Sequence, residues 1–205
     1  METDYFYTIA SPSEGIFTEK SSKFLAFAFQ VSSEEQVKQH LNDLKKKYYD
    51  ARHHVYAFII GTKQETFRAS DDGEPSNSSG PPVLGQIRSL NLTNTLIVVV
   101  RYFGGTKLGI PGLINAYKTA AKNALDNAKI IKKYIEEKIE ITFDYEDMNF
   151  VMKVIKDYEA NIISQEFQEN CSIICTIRLS LYENFLESLK QNHKLIIKLD
   201  EEDIC

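Results

Sequence analysis

Two hydrophobic rhythms run along this chain. "SKFLAFAFQV" (residues 22–31) alternates at period two and predicts a strand, while "SSEEQVKQHLNDLKKKYYD" (32–50) switches to helical spacing, with Val37, Leu41 and Leu44 on one face. The helix has start and stop chemistry: Ser32 or Ser33 to cap the first turn, Glu34 and Glu35 at the pole that favours acids, and Lys45, Lys46 and Lys47 at the other. "HVYAFIIGT" (54–62) is apolar nearly throughout, as a central strand is. The pattern then lapses from Thr62 to Pro82, where Asp, Gly, Pro, Ser and Asn predict one long irregular excursion. Loops longer than about 12–15 residues in a compact domain are commonly functional or disordered. "PPVLGQIRSLNLT" predicts a short helix and "TLIVVVRYF" a buried strand. "GIPGLINAYKTAAKNALDNAK" predicts a long helix on which Leu113, Tyr117 and Ala120 or Ala121 recur.

After Lys133 the elements shorten and the order becomes strand, helix, strand, strand, helix, strand: "YIEEKIEITFDY", "EDMNFVMKVIKDYEA", "NIISQEFQEN", "SIICTIRLS", "LYENFLESLKQN" and "HKLIIKLD". This β-α-β-β-α-β order over about 70 residues is the split βαβ, or ferredoxin-like, arrangement. The expectation is an α+β protein of two domains, residues 1–133 and 134–205.

Composition supports that division. The 205 residues are 43% hydrophobic, enough for one large or two small cores. Residues 1–133 hold 17 Lys and Arg against 13 Asp and Glu, and residues 134–205 hold 7 against 16, so the halves carry +4 and −9 within a total of −5. Only the first half offers an anion a favourable field. Neither an apolar run of membrane-spanning length nor a signal-like start is present, which predicts a cytoplasmic protein with no membrane partner. Cys171, Cys175 and Cys205 are spaced for neither a zinc site nor a redox pair and are expected to be reduced, the first two as small core hydrophobes.

Chemistry concentrates in two stretches. In "VVVRYFGGTKLGIPGLINAY", Gly104, Gly105, Gly109 and Gly112 lie between a strand and a helix, where amides and the helix pole suit an anion; Arg101 and Lys107 would add charge. Gly104 to Gly109 has P-loop spacing, but Ile110-Pro111 stands where Lys-Ser/Thr belongs, and no G-x-G-x-x-G is present. A purely conformational corner is the equal alternative. The second stretch, "RASDDGEPSNSSGPP", holds Ser70, Asp71, Asp72, Gly73, Glu74 and Pro75. Its carboxylates suit a hard cation or a general base, yet Asp-Gly and Glu-Pro are also ordinary turn formers, and the EF-hand spacing is absent. His53 and His54 should point to opposite faces of their strand and so share no metal. Phe24, Phe27 and Phe29 read as core. No serine elbow is present.

Together these two stretches, with "KSSKFLAFA" and "ARHHVYAFIIG", closely resemble the signature of the YigZ/IMPACT family over nearly the whole chain, with His53 at the family's histidine position. The chain departs at Asn77-Ser78-Ser79, at Pro111 in place of a glycine and at Asn115 where arginine is common. The resemblance implies an N-terminal fold like ribosomal protein S5 domain 2, shared with elongation factor G domain IV, and a C-terminal ferredoxin-like fold like domain V of that factor. It further implies a link to the regulation of translation.

Three functions compete. The first is a non-catalytic binder of RNA, the ribosome or a translation-related protein, using Lys23, Arg68, Arg101 and Lys107 with the loop glycines and needing no cofactor or metal. The second is a metal-assisted enzyme acting on a phosphorylated or nucleotide-like molecule through Asp71, Asp72 and Glu74. The third is an internal clasp in which Arg101 or Lys107 pairs with Asp71 or Asp72.

Overall fold

A computed structural model describes residues 4–167 and 171–199. Cys205 and the ends of the strands expected at 161–170 and 193–200 lie outside the described residues. The chain divides into two compact units, one of Phe6–Lys133 and one of Tyr134 onward with Asp4 and Tyr5.

The first unit is built on a five-stranded antiparallel sheet. Its strands are β2 (Ser13–Glu19), β3 (Ser22–Gln30), β4 (His53–Ile60), β5 (Thr66–Ser70) and β6 (Thr95–Tyr102), in the spatial order β2-β3-β6-β4-β5. Period-two alternation sorts side chains to two faces. Phe24, Ala26, Val55, Ala57, Ile97 and Val99 pack against α2 (Gly80–Ser89) and α3 (Gly109–Asp126). Phe27, Phe58, Leu96, Val98 and Val100 pack against Val37 and Leu44 of α1 (Glu34–Lys47). Because strands β6 and β4 are covered on both faces, their sequences are continuously apolar rather than alternating. Ser33 is the cap of α1, its hydroxyl accepting from the Gln36 amide at 3.3 Å, and Gln36 Oε1 accepts from Ser32 N at 2.8 Å. Phe24 is buried and meets Tyr117 edge-on at 5.1 Å; Phe29, on the other face, stacks on His40 at 4.1 Å.

Several strands lacked a signal strong enough to read. β1 (Tyr5–Ile9) pairs with β7 (Ile130–Tyr134), and β2 and β5 are the sheet's edges. In β2, Gly15 sits where a Cβ would lie 2.2 Å from the Ala124 amide of α3, while Ile16 is 60% exposed, so hydrophobic alternation is faint there. The expected excursion from Thr62 to Pro82 is shorter than composition suggested. β5 takes five of its residues and α2 begins at Gly80, leaving an irregular segment over residues 71–79.

In the second unit the sheet runs β11 (Ile196–Leu199), β8 (Glu136–Phe143), β10 (Cys171–Arg178), β9 (Asn161–Phe167), all antiparallel. α4 (Met148–Asp157) and α5 (Leu179–Lys190) cover one face, giving the order β-α-β-β-α-β. Cys171 and Cys175 are free, buried core residues, and burial pushes the Cys175 thiol up to about 11, leaving it a small hydrophobe at neutral pH. No helix among the described residues is long and apolar enough to cross a membrane.

Candidate ligand-binding cavity at the glycine-rich loop

Register brings the two signature stretches together. His53 pairs with Arg101 across β4 and β6, and Phe24 of β3 lies opposite Arg101 on its other side. The starts of β3 and β4 and the end of β6 therefore share one end of the sheet, where both the 71–79 segment and the glycine-rich loop are rooted.

At that end the Glu74 side chain is 4% exposed and forms a 2.6 Å ion pair from Oε1 to Arg101 Nη1, whose side chain is 7% exposed. The same oxygen accepts from the Tyr117 hydroxyl of α3 at 2.7 Å and lies 4.0 Å from His53 Nε2. Burial and the Glu74 charge push the Tyr117 hydroxyl far up, so it stays a proton donor. The Arg101 guanidinium is held between the rings of Phe24 and Phe103. His53 Nδ1 lies 2.8 Å from the Asp72 carbonyl oxygen, which can only accept, so that nitrogen carries the proton.

The two aspartates are tied to backbone. Asp71 Oδ1 accepts from the Ser79 amide, the Ser79 hydroxyl and the Gly80 amide at 3.0, 2.7 and 2.8 Å, and Oδ2 accepts from the Asn77 amide at 2.8 Å. Burial opposes the Asp71 charge, but these donors outweigh it and hold the carboxyl below the usual range. Asp72 Oδ2 accepts from the His54 amide at 2.6 Å. Among the described residues no three His, Cys, Asp or Glu side chains are gathered to hold a metal. His54 itself is buried on the α1 face, and burial pushes its imidazole below its ordinary value of 6.5 in spite of the Asp72 charge.

The clasp therefore exists with a different acid: Glu74, not Asp71 or Asp72, is the partner of Arg101. The cations named from sequence do not share one face of the sheet. Arg101 is buried in its pair, and Lys107 is exposed on the glycine-rich loop. Lys23, beside Phe24 and opposite Tyr102, projects to the α1 face. Arg68 lies on that face too, toward the far end of the sheet, and pairs with Glu34 at 3.3 Å.

The loop glycines do different jobs. A Cβ on Gly104 would fall 2.1 Å from the Ser21 carbonyl carbon, so this residue is required by close approach, and its amide donates to Ser22 Oγ at 3.1 Å. Gly105 and Gly109 have φ of +86° and +71° and are required by conformation. α3 then starts with no capping side chain and no acidic residue in its first turn. Pro111 takes the third position, where its missing amide proton breaks no helical bond. Asn115 is exposed.

Between the loop and Glu74 lies a cavity of about 440 Å³. Arg101, Glu74 and His53 line it as buried or half-buried polar groups, Arg52 and Lys107 as exposed cations, and Phe103, Ile110 and Leu113 as apolar surface. Arg52, Phe103 and Ile110 carried no individual signal in the sequence, because their membership depends on strands paired across the sheet.

Residues 20–125 match the family model described as the Impact N-terminal domain. An IMPACT family member of Haemophilus influenzae is 32% identical over 191 residues, covering 89% of this chain and 90% of that protein. IMPACT family member YvyE of Bacillus subtilis is 28% identical over 165 residues, covering 80% and 76%. A crystal structure of a hypothetical protein, 24% identical, superposes over 98% of this chain and all of that one with a TM-score of 0.73, and so shares its fold.

Proposed function

The chain belongs to the IMPACT family, and on that premise we propose that it is a non-catalytic protein of translation whose N-terminal unit binds RNA at the end of the sheet where β3 and β4 begin. The observation that carries this reading is how charge is committed there. Asp71, Asp72 and Glu74 are all engaged by protein donors. Lys23, Lys45, Lys46, Lys47, Arg52 and Lys107 are exposed, and none has a carboxylate partner among the described residues. Tyr49, 84% exposed beside the lysines that end α1, supplies a ring on which a base can stack. An acidic second unit confines the footprint to the first.

The resemblance to ribosomal protein S5 domain 2 and to domains IV and V of elongation factor G supports placing that RNA in the translation apparatus. The antiparallel order β11-β8-β10-β9 supports the ferredoxin-like reading of the second unit. The metal-assisted enzyme has less support, because its three carboxylates already have partners. Fluorescence anisotropy with labelled single-stranded RNA tests the proposal: affinity should fall steeply with salt, and no binding at about 50 mM salt would overturn it.

A further inference from the structure

We propose that the cavity beneath the glycine-rich loop holds one phosphorylated nucleotide, its phosphate at the Arg52–Lys107 rim and its sugar or base edge at the Glu74–Arg101 floor. The inference deepens the RNA reading and rests on it for one source of the nucleotide, the end of an RNA strand; a free nucleotide is the other source.

Three observations converge on this ligand. The volume of about 440 Å³ falls in the range of about 300–1,000 Å³ typical of small-molecule sites. Its walls carry Phe103 and Ile110, 52% and 54% exposed, which is apolar surface with room for a planar ring. The rim joins Arg52 and Lys107 to the start of α3, whose first amides have neither a capping side chain nor an acidic neighbour in that turn.

The floor decides the orientation. Arg101 is 6% exposed, and its Nε is buried with no protein acceptor. Glu74 commits Oε1 to Arg101 and Tyr117, while Oε2 takes no donor among the described residues. The floor thus offers one unused acceptor, Glu74 Oε2, while Arg101 Nε is closed off from solvent and stays with the ion pair. A bare phosphate would be repelled by the Glu74 carboxylate and would leave the apolar walls unused, and an apolar ligand would leave Glu74 Oε2 and both rim cations without partners. A nucleotide meets all of them, since a carboxylate accepts a ribose hydroxyl or an exocyclic amine while the phosphate stays at the rim.

Isothermal titration of the full chain with the four nucleoside monophosphates, their nucleosides and short RNA with or without a 5′-phosphate tests this. Ile110→Trp blocks the mouth from an exposed position and Lys107→Ala removes a rim charge; urea midpoints confirm that both fold. At least one monophosphate should bind, its nucleoside about tenfold more weakly, with Ile110→Trp abolishing binding and Lys107→Ala weakening it about tenfold. If Ile110→Trp also erases a preference for 5′-phosphorylated RNA, the nucleotide is an RNA end; if RNA binding is unmoved while monophosphate binding is lost, it is a free nucleotide. RNA binding that ignores Ile110→Trp, with no monophosphate binding up to about 1 mM, overturns the cavity inference and leaves the RNA reading standing. Monophosphate binding that survives Ile110→Trp also overturns it, and failure of both ligands removes both readings.

Discussion

Glu74 and Arg101, 27 residues apart in the chain, meet through a 2.6 Å charge-assisted hydrogen bond in a nearly solvent-free position. This pair closes the 71–79 segment onto the end of the sheet, and Tyr117 ties it to α3. A buried pair is worth little against an apolar substitute, but removing one partner strands the other charge.

Glu74→Ala should therefore cost about 3–5 kcal/mol, because it leaves the Arg101 guanidinium buried and unpaired. Tyr117→Phe removes only one donor to a carboxylate that keeps its cation and should cost less, about 1–3 kcal/mol. Urea denaturation of both variants checks the order; equal costs would mean that the ion pair is not what holds the segment.

Gly104→Ala and Gly105→Ala separate two reasons for a loop glycine. The first forces a methyl group into the Ser21 backbone and should destabilise by about 1–3 kcal/mol or more. The second meets nothing within 4 Å and pays only for φ of +86°, about 1 kcal/mol. Thermal midpoints should fall further for the Gly104 variant.

Stability should decline as pH falls in two stages. His54 has a depressed folded value, so its unfolded form takes up a proton first: the neutral ring's contribution is complete above 6.5 and is lost on the way down to the lowered value. Asp71 is also depressed, and its contribution, present above the ordinary 3.8, is lost as pH falls through its lower folded value. Urea midpoints from about pH 8 to about pH 5 should flatten in His54→Gln, and the deeper acid limb should flatten in Asp71→Asn.

Replacing Lys45, Lys46 and Lys47 with alanine should reduce the slope of log affinity against log salt for single-stranded RNA, by about 0.7 for each phosphate that is no longer neutralised. Arg68→Ala, paired with Glu34 toward the far end of the sheet, should leave the slope unchanged. A slope that responds equally to both would place the RNA elsewhere.

Much of this was legible from local pattern. The cap and poles of α1, the apolar run of β6 and the β-α-β-β-α-β order of the second unit follow from periodicity and end chemistry, which act between near neighbours. β1, β2, β5 and β7 did not show, because a short or edge strand buries little and its identity comes from the strand it pairs with. β5, "TFRAS", has exposed residues over its first half.

The amino-acid sequence by itself determined the helices, the central strands, the two-unit organisation of charge and the family signature, since these depend on residue type and spacing. Which acid meets Arg101, and which cations share a surface, only the tertiary structure decided. Asp72 and Gly73 adopt φ of 43° and 85°; Asp72 is spent on the His54 amide and Glu74 reaches the buried guanidinium. Lys23 and Arg68 look equivalent to Lys107 by residue type, but strand alternation puts them on the other face of the sheet. A loop that read equally as an anion site or a plain corner is one wall of a cavity, and its floor is the Glu74–Arg101 pair, where the spacing of residues had pointed to Asp71 or Asp72.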